Sequence, residues 1–168
     1  MHDAVTDTGP FIHLDEIQQL DLLTAVFNSV RVPEQVIREL SNQTAQTFIE
    51  QNPESIFVER VPDEALFAAK DAYPGFRLHL ADLAIVVLLT KYIQTVACTD
   101  DLELRKAIES SGRTVVGTIG ILFRSYKISF ITNEQLRSLI DLIFNDSSLY
   151  LSSAFKNRVL NIVNSLHL

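Results

Sequence analysis

Short β-prone apolar runs alternate with helical patterns from residue 3 to residue 127, and this constrains the fold more than any other feature. Residues 4–6, 30–32, 56–58 with Val61, 95–98 and 114–116 read as strands. Between the first two, Leu14, Ile17, Leu20, Leu23, Val26 and Phe27 recur at helical spacing and predict one helix through residue 27. Pro33 suits the first turn of the next helix, which Val36, Ile37 and Leu40 continue. Pro62, Asp63 and Glu64 open another, running to about Asp71. Residues 80–92 predict an apolar helix buried on most sides. A helix over 102–110 ends at Gly112, which suits a glycine C-cap, and one over 118–126 follows the last strand. Strands joined through helices must run parallel, with helices on the faces of the sheet. Strands this short and apolar suit burial on both faces. The expected fold is therefore α/β, a three-layer α/β/α arrangement with a central parallel sheet of about five strands, plus C-terminal helices over 133–144 and 152–166. Residues 1–128 form the expected α/β domain, and 129–168 a helical extension packed on it.

Composition narrows the function classes. The 168 residues suit about one domain of ordinary size. One cysteine, Cys98, excludes an internal disulfide framework and a multi-cysteine zinc site, and its apolar setting predicts an inert thiol. Residues 1–15 carry three aspartates and no secretory pattern. The longest uncharged apolar stretch, residues 83–90, is far short of the ~20 residues that span a bilayer. A cytoplasmic protein without a membrane partner is expected. The net charge of −7 argues against unaided binding to a polyanion. Residues 103–127 run the other way, with Arg105, Lys106, Arg113, Arg124 and Lys127 against Glu103 and Glu109.

Acids at strand ends carry the chemical signal. In an open parallel sheet, ligands sit beyond the carboxyl ends of the strands. The first strand ends at Asp7, and the fourth at Asp100-Asp101. If these strands are neighbours, their carboxylates share one crevice, where burial and repulsion would raise their pKa values. A divalent cation relieves both costs, and oxygen ligands select magnesium or manganese over zinc. The plainer role for Asp7 and for Asp101 is a helix N-cap. Glu39 falls near the edge of the apolar face of its helix; pairing with Arg38 or Lys91 would explain it equally, and Glu34 is an alternative acid. Asp82 is the only charge between Arg77 and Lys91. On so apolar a helix it must be paired, metal-bound or at the N-terminus. His13 and His79 are expected to be structural or surface residues. Gly117-Thr118-Ile119-Gly120 lacks the lysine and spacing of a P-loop and reads as a tight strand-to-helix turn.

With these acids in place the chain resembles the PIN-domain family. The resemblance rests on "VTDTGPFIHL", "VRVPEQVIREL", "HLADLAIVVLL" and "TVACTDDLELRKAIESSGRTVVGTIGILFR", taken in that order and spacing, and it covers about residues 3–127. It is closest to the subgroup whose fourth motif reads Asp-Asp-x-x-x-Arg and is followed by Gly-Thr-x-Gly. Leu80-Ala81-Asp82 departs from that subgroup, where Gly-Glu often opens the third motif. The resemblance implies a magnesium- or manganese-dependent endoribonuclease that leaves a 5′-phosphate and often serves as the toxin of a toxin–antitoxin pair.

Carried onto this sequence, the resemblance makes Asp7, Glu39, Asp82 and Asp101 the catalytic acids. Metal would be held by Asp7, Asp82 and Asp101, with Asp100 as competitor or additional ligand. Thr8 stands where the family often has a hydroxyl beside its first acid. Thr8, Arg105, Lys106, Arg113 and Arg124 are the candidate RNA contacts, although each cation would serve equally as part of a solvated helix face. An RNA substrate, an antitoxin protein and a second copy in a homodimer are the implied partners. A module that keeps vestigial acids and acts through binding is the alternative. A receiver-like or phosphatase domain ranks behind both, since no lysine follows a strand end where such sites need one.

Overall fold

The computed structural model describes residues 2–166. Among them, five strands form one sheet: β1 (His2–Thr6), β2 (Phe27–Pro33), β3 (Ile56–Glu59), β4 (Val96–Cys98) and β5 (Val115–Val116). All pairings are parallel, in the order β3-β2-β1-β4-β5. The chain builds outward from β1 to β3 on one side, then crosses to β4 and β5 on the other. The order therefore reverses between β1 and β4, the switch point where such sheets open a crevice. The register there pairs Ala4 with Val96 and Thr6 with Cys98.

Among the described residues, ten helices connect and cover the sheet: α1 (Thr8–Glu16), α2 (Asp21–Val26), α3 (Glu34–Glu39), α4 (Gln43–Gln51), α5 (Asp63–Ala72), α6 (Leu80–Lys91), α7 (Leu102–Ser110), α8 (Thr118–Lys127), α9 (Asn133–Asn145) and α10 (Ser153–Ser165). With helices flanking the sheet the architecture is the expected three-layer α/β/α. α6 runs against β1, β2 and β4 and packs on α3 and α5, while α8 packs on α1, α2 and α9. The apolar surround of α6 is used in full, because Ala81, Leu83, Ala84, Ile85, Val86, Leu88 and Leu89 are all buried.

The single helix expected through residue 27 is broken. α1 stops at Glu16, Gln18 takes a left-handed φ of 56°, and a short α2 follows. Gln18 N–H donates to the Asp15 carbonyl and Gln19 N–H to the Leu14 carbonyl, the paired bonds of a Schellman stop, here without glycine. Leu14, Ile17, Leu20 and Leu23 are all buried even so. Apolar spacing reports which residues go inside, and two short helices meet it as well as one long one. Phe27 is likewise buried, but it opens β2. α4 has no counterpart in the sequence reading. Its cap is Asn42, whose side chain accepts from Ala45 N–H at 3.0 Å. Gly112 ends α7 at φ 76°, as its position suggests.

The C-terminal helices share the core. Leu136, Leu139, Ile140 and Ile143 of α9 and Val159 and Val163 of α10 belong to one buried cluster with the sheet residues. Arg137 ties the two helices, donating to the Val163 carbonyl at 2.7 Å and to Asn164 Oδ1 at 3.0 Å. Ile143→Ala should therefore cost about 2–5 kcal/mol, the usual range for such a cavity. Urea unfolding should show it as a shift of one transition for the whole chain, whereas a separate early transition would make the tail an independent unit.

Candidate active site

The β1–β4 pairing sets the site. Asp7 follows β1 directly, and its N–H continues the ladder to the Cys98 carbonyl at 2.9 Å. Its side chain caps α1: Oδ1 accepts from Thr8 N–H at 2.7 Å and from Thr8 Oγ1 at 3.3 Å. Oδ2 accepts from Thr99 Oγ1 at 2.9 Å. That Thr99 hydroxyl also accepts from Asp101 N–H at 3.0 Å, so one threonine joins the two strand ends. Asp101 in turn caps α7, accepting from Leu104 N–H at 2.7 Å through Oδ1. The N-cap role and the shared crevice are thus not alternatives, since Asp7 and Asp101 fill both.

Asp82 comes from the first turn of α6, where its Oδ2 accepts from His79 N–H at 2.7 Å. It is buried, as is Asp7. Burial above all, opposed by the His79 bond and aided by the charges of Asp7 and Asp101, holds the Asp82 carboxyl up at about 6. Burial also raises Asp7, with the Asp101 charge adding to it and the bonds from Thr8 and Thr99 opposing. Three carboxylates from three elements therefore act on one another. Asp82 Oδ1 and Asp101 Oδ2 have no protein hydrogen-bond partner among the described residues.

The other expected site residues are placed differently. Asp100 turns away from the trio. Its Oδ1 accepts from Thr118 N–H at 2.8 Å, and its Oδ2 meets Thr118 Oγ1 at 2.6 Å and His13 Nδ1 at 2.9 Å. Both oxygens are engaged, as are those of Asp7, and the Asp100 charge is not among the influences that shift Asp7 and Asp82. Glu39 is exposed at the last residue of α3, a helix that packs on both α1 and α6. Its charge is not among the influences that shift Asp7 and Asp82. The pairings that could have explained it are absent, because Arg38 binds Glu34 and Lys91 binds Glu59.

The basic rim shrinks on inspection. Arg113 donates to the carbonyls of Leu89, Tyr92 and Ile93 and so finishes the C-terminal end of α6, the end opposite Asp82. Arg124 lies over the Phe27 ring, 6.0 Å from its centroid, and its charge also acts on the buried Cys98 at the end of β4. Arg105 donates to the Thr99 carbonyl at 3.2 Å and braces the turn that carries Asp101. Lys106 is exposed on α7 and Thr8 is half-buried beside Asp7. Sequence reasoning missed Thr99 and His79. A hydroxyl residue preceding two acids at a strand end was the available signal for the first. For the second, the signal was a residue three before a buried aspartate at a helix start.

A family model described as PIN domain matches residues 3–165. The chain belongs to the PIN-domain family. The match extends past the 3–127 of the motifs through α9 and α10. No curated protein matches the chain. PIN domains are nuclease-type hydrolases that typically use divalent metal ions. Among the described residues no three His, Cys, Asp or Glu side chains already stand as a closed metal-holding group. The donor chemistry of the PIN crevice nevertheless fits a hard cation: it offers oxygen alone, two carboxylate oxygens without protein partners, and mutual repulsion that an ion would relieve. No described helix is long and apolar enough to cross a membrane.

Asp82 gives a pH signature. Its folded pKa lies above the ordinary 3.8, so the folded chain keeps a proton that the unfolded chain has released. Stability from this group is therefore full at low pH and falls as the pH rises from 3.8 to about 6. Asp82→Asn keeps an oxygen for the His79 N–H and removes the charge. Its melting temperature should exceed that of the wild type at neutral pH, and the difference should vanish below the ordinary carboxylate range.

Proposed function

We propose that this PIN-domain protein is a magnesium- or manganese-dependent endoribonuclease that hydrolyses RNA phosphodiesters, leaving a 5′-phosphate, and that it acts as the toxin of a toxin–antitoxin pair. The observation that carries this reading is the electrostatic convergence of Asp7, Asp82 and Asp101 at the β1–β4 switch point. These three would hold the ion, and Glu39 would act from the rim as the fourth acid. A bound ion would supply charge neutralisation at the phosphate and a water acidic enough to attack it.

The chain's own residues do the rest. Thr8 and Thr99 hold both oxygens of Asp7 in place. The His79 N–H turns Asp82 Oδ2 towards the backbone, leaving Oδ1 for the crevice. Asp101 keeps Oδ2 in the same way. Because Asp82 competes for a proton near pH 6, ion loading should strengthen as the pH rises through that value. Lys106, exposed on α7, would be one cation able to meet an RNA phosphate.

A second reading is supported by the occupied oxygens of Asp7 and by the lack of a closed three-ligand group among the described residues. On that reading the crevice is vestigial and the protein acts by binding. Manganese-dependent cleavage of generic single-stranded RNA separates the two. Wild type should cleave, and Asp7→Asn and Asp101→Asn should each lose at least on the order of 100-fold, because even outer-shell partners of a metal ligand cost about 10–100-fold. Equal cleavage by all three would assign the activity to a contaminant and favour the binding module.

A further inference from the structure

We propose that Asp100 is a positioning residue that, with Thr118 and His13, fixes the turn carrying Asp101 so that Asp101 alone faces the acid crevice. The inference rests on the nuclease reading of that crevice and adds to it residues that touch neither ion nor RNA.

The geometry starts from a helix that lacks its own cap. α8 begins at Thr118, and the residue before it, Gly117, has no side chain to satisfy the first N–H groups. Asp100 supplies the missing acceptor from another segment, taking Thr118 N–H on Oδ1 and Thr118 Oγ1 on Oδ2. A carboxylate at a helix N-terminus is also favoured by the helix dipole. His13 of α1 meets the same Oδ2 from the other side. The side chains of Asp100 and His13 are 10% and 12% exposed, so the network is shielded from competing water.

Glycine makes the approach possible. A Cβ on Gly117 would sit 2.7 Å from Asp100 Oδ1, closer than real contacts allow, and a tight 3.0 Å from Arg105 Nη2. Gly117 thus serves as a cradle for a side chain of the protein itself and not for a phosphate. The Gly-Thr turn that superficially suggests anion binding already holds an anion.

The consequence for the site follows from chain order. Thr99, Asp100 and Asp101 are consecutive, and each is fastened to a different partner. Thr99 binds Asp7, and Asp100 binds α8 and α1. Asp101 caps α7 with one oxygen and leaves the other for the crevice. Release of Asp100 would free the middle of this three-residue turn and leave the Asp7–Asp101 spacing to the Thr99 bridge, the α7 cap and Arg105 alone. Two adjacent aspartates are tolerated because one of them is directed away from the crevice into hydrogen bonds.

The test measures Mn²⁺ binding to the full chain without RNA, by counting free ion with electron paramagnetic resonance. Thr118→Val keeps the side chain's shape and removes one bond to Asp100. It should weaken Mn²⁺ binding by about 10-fold, as loss of an outer-sphere partner commonly does. Thr118→Ser restores the hydroxyl and should return affinity towards wild type. Gly117→Ala, which pushes a methyl group into Asp100, and His13→Phe, which removes the α1 donor, should each weaken binding with circular dichroism unchanged. These two keep the test decisive if Thr118→Val fails to fold. Wild-type affinity in the folded Thr118→Val, Gly117→Ala and His13→Phe proteins would overturn the positioning role and leave the nuclease reading standing. So would failure of Thr118→Ser to restore affinity. A wild type that binds no Mn²⁺ would overturn both.

Discussion

The pairing of β1 with β4 is the constraint from which the rest of the site follows. It puts Thr6 opposite Cys98, and the next residues, Asp7 and Thr99, make the last ladder bonds of their strands. Asp7 and Thr99 then meet within hydrogen-bond distance, and Asp101 follows two residues behind. The sheet order makes this the point where the chain reverses direction of growth. Burial comes from the helices on both faces, above all the apolar α6, which brings Asp82 in from the side. The result sets the buried Asp7 and Asp82 and the exposed Asp101 within reach of one another's charge, an arrangement that disfavours the folded state at neutral pH. Strain of this kind concentrates at sites that bind something.

Much of this was legible in the sequence because it depends on local pattern. Strands joined by helices dictated a parallel sheet, and acids at two strand ends dictated where to look. α7 runs over the residues that its apolar spacing and Gly112 delimit. Asp82 stood out because a lone charge on an apolar helix needs a reason.

The rest was hidden because it depends on partners distant in the chain. Nothing near Asp100 shows that its oxygens belong to His13, 87 residues away, and to Thr118. Arg113 looks like any surface cation until the end of α6 is seen to lie beside it. Arg124 is similar, since only the fold carries it to Phe27. The break at Gln18 was invisible for another reason: the leucines on either side keep helical spacing across it. α4 was missed because only Ala45, Phe48 and Ile49 mark its apolar face within an otherwise polar segment.

Everything turns on whether Asp7, Asp82 and Asp101 share one electrostatic environment. Carbon-13 NMR of the Asp82 carboxyl, followed against pH in the metal-free chain, reads this directly. The midpoint should lie near 6. It should fall in Asp101→Asn, which removes one of the two charges raising it. A midpoint at the ordinary value of 3.8, unmoved by Asp101→Asn, would mean that the acids are separate and would contradict the account.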